Sequence, residues 1–142
     1  MKVEGPAKPE LHPLRILVVE DDPESREMMG AVLSHWGYET RLVTAGEAAL
    51  DAAEQEVPDI VLLDLGLPGM DGFEVARCLR RLPGGDRLFI AALTAYRGEE
   101  YRRKAWAAGF DRYLEKPVDT DILHQLLSQI SQVGYSNPEA PD

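Results

Sequence analysis

The stretch LRILVVEDDP, residues 14–23, changes from apolar to acidic within one step of the chain. Its apolar residues end at Val19, and the carboxylates of Glu20, Asp21 and Asp22 follow at once. A short apolar run is typical of a strand that is buried on both faces of a parallel sheet. The three acids therefore follow the carboxyl end of a predicted strand, where solvent or a bound cation must offset their mutual repulsion.

Length and composition limit the classes of protein that remain. The chain has 142 residues, a hydrophobic fraction of 44% and a single cysteine, which is typical of one globular domain without an internal disulfide. Its net charge of -10 disfavours non-specific binding to nucleic acid or to an anionic membrane. The first residues lack the apolar centre of a secretory signal, and no apolar run is long enough to span a membrane, so we expect a cytoplasmic protein.

The pattern of the first strand recurs along the chain. Short apolar or β-branched runs alternate with longer segments of helical periodicity, an order that predicts an α/β fold with a parallel, doubly wound sheet. The five predicted strands are 15–19, 39–43, 60–63, 88–93 and 112–114. We expect one domain, because neither an internal repeat nor a second core is visible in the sequence.

Capping residues and apolar spacing predict five helices. Asp22 is expected to cap the first helix, with Pro23 at its first position and Gly37 after its end. Thr44 and Glu47 have the spacing of a capping box at the start of the second helix. The faces that we expect to be buried on the first and last helices consist of Met28, Met29, Val32, Leu33 and Trp36, and of Ile122, Leu123, Leu126, Leu127 and Ile130.

Polar residues follow most of the predicted strands. They are Glu20 and Asp21 after the first strand, Asp64 after the third, Thr94 after the fourth and Lys116 after the fifth. Each of these residue types is also common in caps and turns, so none of them indicates a site by itself. In a doubly wound sheet, however, the carboxyl ends of all strands meet at one edge, where ligands bind. The sequence therefore predicts one site that contains carboxylates, a hydroxyl group and an ammonium group.

The carboxylates of this predicted site suit a hard divalent cation. A site with few protein ligands and room for water favours Mg²⁺ over Ca²⁺. One divalent ion, together with Lys116, would neutralise Glu20, Asp21 and Asp64. Such an ion keeps free coordination positions for phosphoryl oxygens. We assign Asp22 to the cap of the first helix rather than to the metal site.

Four motifs in this order and spacing, ILVVEDDP, DIVLLDLGLPGMDG, ALTAY and YLEKP, resemble the receiver domain of bacterial two-component response regulators. The resemblance covers about residues 14–133 and includes the chemotaxis regulators. It implies a (βα)5 flavodoxin-like fold, a three-layer sandwich around a five-stranded parallel sheet. We therefore expect a receiver domain at 14–133 between two flexible, proline-containing tails, 1–13 and 134–142.

The resemblance implies a role for each of seven residues. Asp64 matches the phosphoacceptor. Glu20 and Asp21 match the acidic pair that binds Mg²⁺, and the backbone carbonyl of Gly66 would be a further ligand. Thr94 and Tyr113 match the switch residues, and Lys116 matches the lysine of the site. The phosphoryl donor would be a histidine kinase or a histidine phosphotransfer protein.

The implied output is a signalling switch rather than an enzyme, although receivers assist their own phosphorylation and dephosphorylation. The fourth helix, fifth strand and fifth helix would form the face that changes and that a downstream effector protein recognises. A phosphorylation-dependent dimer is the other form of output that we consider. Trp106 on the fourth helix is expected either to contact such a partner or to be partly buried.

Other classes of protein remain as alternatives. A flavodoxin-like FMN binder would share the fold, but the acids of EDDP would repel its phosphate, and a phosphatase of the haloacid dehalogenase kind needs an acid where Gly66 stands. A pseudo-receiver that binds proteins without phosphorylation, and a receiver excised from a hybrid histidine kinase, stay open. We expect Gly66 to leave one side of Asp64 open to water and Tyr96 to shield the other, so the lifetime of an acyl phosphate is not predicted.

Overall fold

Five parallel strands form one sheet in the computed structural model, which describes residues 13–133. The strands are β1 (Arg15–Val19), β2 (Glu39–Val43), β3 (Ile60–Leu63), β4 (Phe89–Thr94) and β5 (Arg112–Glu115). Their spatial order is β2-β1-β3-β4-β5, so the order of the strands reverses between β1 and β3. A reversal of this kind opens a crevice at the carboxyl ends of the two strands, which is the usual ligand site of such sheets.

Five helices cover the two faces of the sheet and confirm the predicted doubly wound fold. They are α1 (Pro23–His35), α2 (Gly46–Gln55), α3 (Gly72–Arg81), α4 (Glu99–Ala108) and α5 (Thr120–Val133), and a short 3₁₀ turn covers Gly85–Arg87. Asp22 caps α1 as predicted, because its carboxylate accepts a hydrogen bond of 2.9 Å from the backbone N–H of Ser25. That bond also lowers the pKa of Asp22.

Side chains of each inner strand alternate between two cores, as the pleat of a strand requires. On one face of the sheet, Leu17, Val61 and Ile90 pack with α2, α3 and α4. On the other face, Val18 and Leu62 pack with α1 and α5. The sheet is therefore the middle of three layers, and neither face of its central strands is open to solvent.

Several local predictions were wrong. The fourth strand begins and ends one residue later than predicted, and the fifth strand extends one residue further, to Glu115. The second helix begins at Gly46 after Ala45, and no side chain caps it, so Thr44 is not its cap. A Cβ on Gly46 would lie only 2.6 Å from a methyl carbon of Val75, which shows that close packing against α3 defines the start of α2.

Two apolar residues that we expected to be buried are exposed. Met28 is 60% exposed and Ile122 is 53% exposed. Met28 lies two residues, and therefore about 200°, from the buried Gly30, whereas Ile122 lies about 100° from the buried Leu123. The apolar sequence stripes of α1 and α5 are thus wider than the faces that contact the sheet.

The predicted tails, 1–13 and 134–142, lie outside the described residues except for Pro13, and the boundaries of the predicted domain stay a prediction. Among the helices between residues 13 and 133, none combines the length and the apolar character that a membrane span requires.

Candidate functional site

Three carboxylates meet at the carboxyl edge of β1 and β3. One oxygen each from Glu20, Asp21 and Asp64 lies within 4.8 Å of the other two. Strand pairing produces this arrangement, because the N–H of Glu20 bonds to Val43 on one side and the N–H of Asp64 bonds to Val19 on the other. Glu20 is buried, Asp64 is half-buried and Asp21 is exposed. The cluster is therefore accessible from solvent on the side of Asp21.

Lys116 joins this cluster from the end of β5. Its ammonium nitrogen lies 2.7 Å from Glu20 Oε1 and 3.2 Å from Asp64 Oδ2. Burial by itself would lower the pKa of Lys116, but the hydrogen bond that it donates to Glu20 and the charges of Asp64 and Glu20 outweigh burial and raise this pKa. The lysine is therefore charged, and the four side chains together retain a surplus of negative charge. The peptide bond between Lys116 and Pro117 is cis.

The two carboxylates that bind Lys116 are also held by backbone N–H groups. The second oxygen of Asp64 accepts a bond of 3.0 Å from Gly66, and the second oxygen of Glu20 accepts one of 3.1 Å from Asp22. Gly72 permits this geometry on the side of β3, because a Cβ there would lie 2.5 Å from the carbonyl oxygen of Asp64. The acids thus have fixed positions before any ligand arrives.

The two predicted switch residues are linked through the backbone of Tyr96. Thr94 is buried at the end of β4, and its hydroxyl accepts a bond of 3.1 Å from the N–H of Tyr96. The hydroxyl of Tyr113 donates a bond of 2.7 Å to the carbonyl oxygen of Tyr96. Burial raises the pKa of Tyr113, which therefore remains a donor at neutral pH. Any movement of Tyr96 changes the hydrogen bonds of both residues.

Tyr96 also covers Gly66. A Cβ at position 66 would lie 3.1 Å from the hydroxyl oxygen of Tyr96, whose ring stacks on Tyr101 with the ring centroids 4.8 Å apart. The absence of a side chain at Gly66 thus gives room to the Tyr96 ring. Gly66 itself is exposed, so our expectation that it leaves its side of the site open to water stays a prediction.

A cavity of about 430 Å³ lies beside the acids, between α1 and the start of α5. Glu20, Asp64 and Lys116 form its polar end. Its apolar wall consists of Val18, Met28, Met29, Val32, Leu62, Leu93, Pro117 and Val118. The cavity offers a second approach to Asp64 in addition to the exposed side of Asp21.

A family model described as the response regulator receiver domain matches residues 16–128, which is most of the chain. The chain belongs to this family. The receiver domain is a module of two-component signalling systems, in which it acts as a switch. The resemblance in the four sequence motifs is thereby confirmed, whereas the roles of the individual site residues stay predictions.

Curated relatives of this receiver domain differ in length. A 14.6 kDa uncharacterised protein of Leptolyngbya boryana is 41% identical over 114 residues, which cover 80% of this chain and 87% of that protein. The response regulator MprA of Mycolicibacterium vanbaalenii is 42% identical over 118 residues, 83% of this chain but only 49% of MprA. The chain therefore spans about half the length of some of the relatives that it matches.

A solved structure shows the same fold. The receiver domain of the sensor histidine kinase PA1611 from Pseudomonas aeruginosa PAO1 has a TM-score of 0.78 and 34% identity, with 84% of this chain and 98% of that chain covered. That structure contains a magnesium ion coordinated in its active-site cleft. Receiver domains related to this one thus occur within sensor kinases as well as within response regulators.

Sequence reasoning missed one arginine at the edge of this site. The motifs assign no role to Arg97, yet its guanidinium bonds both to Glu115 and to the backbone carbonyl of Lys116, at 2.7 and 2.8 Å. The sequence contains no signal for this contact, because the bond to Lys116 goes to a backbone atom. Trp106 is half-buried on α4, and its predicted contact stays a prediction.

Proposed function

We propose that this receiver domain accepts a phosphoryl group on Asp64 from a phosphohistidine of a histidine kinase or a histidine phosphotransfer protein. The observation that carries this proposal is the surplus of negative charge at the site. Three carboxylates, those of Glu20, Asp21 and Asp64, lie together, and the cations beside them are Lys116 and Arg26, whose guanidinium bonds to the backbone carbonyls of Glu20 and Asp21. Carboxylates that the fold holds close together repel one another, and a bound cation offsets this repulsion. The donor atoms are all oxygen, which suits Mg²⁺.

Asp21 and Asp64, with the backbone carbonyl of Gly66, would bind Mg²⁺ directly, and Glu20 would act through a water molecule. Asp21 is the exposed member of the cluster and has room for an ion that keeps part of its water shell. The magnesium ion in the cleft of the PA1611 receiver domain supports this proposal. When bound, the ion supplies positive charge that offsets the charge of the incoming phosphoryl group.

Asp64 would be the nucleophile of the transfer. One oxygen of its carboxylate attacks phosphorus in line, the bond between phosphorus and the imidazole nitrogen of the donor breaks, and the electron pair of that bond leaves with the imidazole. Lys116 lies 3.2 Å from Asp64 and would stabilise the phosphoryl oxygens as charge develops on them. The product is an acyl phosphate on Asp64.

The hydrogen bonds of Tyr96 connect this chemistry to an output. A phosphoryl oxygen on Asp64 would accept a hydrogen bond from the Thr94 hydroxyl and draw it away from the N–H of Tyr96, which now donates to it. A displacement of Thr94 would then change the carbonyl oxygen to which Tyr113 donates its bond. The face formed by α4, β5 and α5 would differ between the two states, and an effector protein that prefers one state would respond to phosphorylation.

A direct experiment tests the proposed function. Incubation of the full chain with Mg²⁺ and acetyl phosphate should add the mass of one phosphoryl group, as measured by intact-protein mass spectrometry. The Asp64→Asn variant should remain unmodified. Asp86→Asn, which changes an exposed aspartate outside the site, should be modified like the wild type.

The alternatives have different outcomes in the same experiment. A pseudo-receiver, which binds partners without phosphorylation, would show no added mass with or without Mg²⁺. Equal modification of the wild type and of Asp64→Asn would place the phosphoryl group elsewhere. Either result would contradict the proposal.

A further inference from the structure

Both the side chain and the backbone of Lys116 form hydrogen bonds at the site. Its side chain binds Glu20 and Asp64, while its backbone N–H donates a bond of 2.8 Å to the carbonyl oxygen of Thr94. Its own carbonyl oxygen accepts a bond of 2.8 Å from the guanidinium of Arg97. Both backbone polar groups of Lys116 are thus bound by one short segment, residues 94–97.

The same segment contains the predicted switch residue. Thr94 begins it, and Arg97 ends it next to Gly98, the residue that precedes α4. Arg97 reaches across to β5 with its two terminal nitrogens, one on Glu115 at 2.7 Å and the other on the carbonyl oxygen of Lys116. Arginine suits this role because its planar guanidinium presents several donors in a rigid fork, which the single ammonium of lysine does not offer.

We propose that Arg97 is a positioning residue that fastens the segment 94–97 to Lys116 and thereby holds the lysine in place for the phosphoryl group. This inference rests on the proposed function of Asp64. Arg97 acts on the phosphoryl group through Lys116 rather than by contact. Among the described residues, the guanidinium of Arg97 bonds to Glu115 and Lys116 and to neither of the metal ligands Asp21 and Asp64. We therefore expect it to influence phosphoryl binding without influencing Mg²⁺ binding.

Neighbouring arginines provide a contrast. Arg102 shares Glu115 with Arg97, but its bond goes to the carboxylate alone and its guanidinium lies over the ring of Tyr113. Within residues 13–133, Arg103 pairs with Glu99 on its own helix alone, at 3.9 Å, and its side chain is 77% exposed. Arg103 is therefore a matched control: it is an exposed arginine near the same loop, without a bond to β5.

The test uses the full chain and beryllofluoride, a phosphoryl mimic. Titration calorimetry at saturating Mg²⁺ measures the dissociation constant of beryllofluoride. A separate titration without beryllofluoride measures the dissociation constant of Mg²⁺. Because Arg97 is 62% exposed, we expect Arg97→Gln to weaken beryllofluoride binding by about three- to tenfold. We expect the dissociation constant of Mg²⁺ to stay within about twofold of the wild type. Arg97→Lys should recover only part of the loss, and Arg103→Gln should bind both ligands as the wild type does.

Three results would overturn the inference. They are unchanged beryllofluoride binding by Arg97→Gln, an equal loss in Arg103→Gln, and a parallel loss of Mg²⁺ affinity, which would indicate general disorder of the site. The failure of the proposed function is distinguishable, because the wild type itself would then fail to bind beryllofluoride or would bind it as Asp64→Asn does. Thermal unfolding of each variant verifies that all of them are folded.

Discussion

Charged side chains are held inside the fold at both edges of the sheet, but the two edges differ in charge balance. At the amino edge, Arg80 donates to the carbonyl oxygens of Gly85, Leu88 and Gly109 at 2.6 to 3.0 Å and pairs with Asp111 at 2.9 Å. At the carboxyl edge, the ammonium group of Lys116 pairs with Glu20 and Asp64, and the carboxylate of Asp21 is the third acid of the same cluster. The pair of Arg80 and Asp111 is therefore neutral, whereas the cluster of Glu20, Asp21, Asp64 and Lys116 is negative.

Paired charges and an excess of one charge have different effects on the protein. A partly buried charge that is paired and hydrogen-bonded holds elements together, as Arg80 holds α3 to the loops before β4 and β5. A fixed surplus of one sign destabilises the ligand-free fold and is compensated only when a ligand of opposite charge binds. The two edges therefore respond in opposite ways to substitution, and three predictions test this difference.

The largest effect is expected at the amino edge. Arg80→Ala should lower the free energy of unfolding by about 3 kcal/mol, because it removes the ion pair with the half-buried Asp111 and the bonds to three carbonyl groups. Urea denaturation measures this loss, with Arg81→Ala, an exposed neighbour, as the control. The Mg²⁺ affinity of the folded variant should equal that of the wild type. A large change in Mg²⁺ affinity would show that the two edges are coupled.

A change at the carboxyl edge should act on ligand binding and not on folding. Asp21→Asn removes one of three like charges and should weaken Mg²⁺ binding by at least about tenfold, a loss typical of changes around metal sites. The free energy of unfolding without Mg²⁺ should not fall, because the repulsion between Asp21 and its two neighbours is relieved. Calorimetric titration and urea denaturation measure the two quantities. Lower stability together with unchanged Mg²⁺ affinity would assign Asp21 a structural role.

The smallest effect is expected from a change at Asp22, the acid that follows Asp21. Asp22→Ala removes the cap of α1 and should lower the free energy of unfolding by less than Arg80→Ala does, because the capping bond is exposed to solvent. Mg²⁺ binding should stay as in the wild type. Asp22→Asn is the matched control, because an amide oxygen still accepts the bond from Ser25. If Asp22→Ala weakens Mg²⁺ binding as strongly as Asp21→Asn does, Asp22 belongs to the Mg²⁺ site and our assignment of it to the helix cap alone is wrong.

Much of the fold was predictable because its signals are local. The first three strands have the predicted bounds, and the start of α1 follows from Asp22 and Pro23, whose conformational preferences act within a few residues. The wrong predictions concern contacts between elements. Met28 belongs to an apolar stripe in sequence but lies outside the contact with the sheet, and the start of α2 depends on a close approach to α3.

The convergence of the acids and the lysine was also predictable, although no sequence pattern pairs them directly. Glu20, Asp64 and Lys116 each follow a strand, and parallel topology brings all such positions to one edge. The positions of Arg80, Tyr96 and Arg97 were not predictable in this way. Their partners include backbone carbonyls and a glycine, and such partners carry no side-chain signal in the sequence.

The sequence alone determined the alternation of strands and helices and the residue types at the strand ends, because periodicity and capping act over short distances along the chain. Only the tertiary structure decided how the charges are balanced: neutral around Arg80 and negative around Asp64. The physical reason is that electrostatic balance depends on distances of a few ångströms between residues that lie far apart in sequence. The same dependence on distance lets Tyr96 cover Gly66 and lets Arg97 reach the backbone of Lys116.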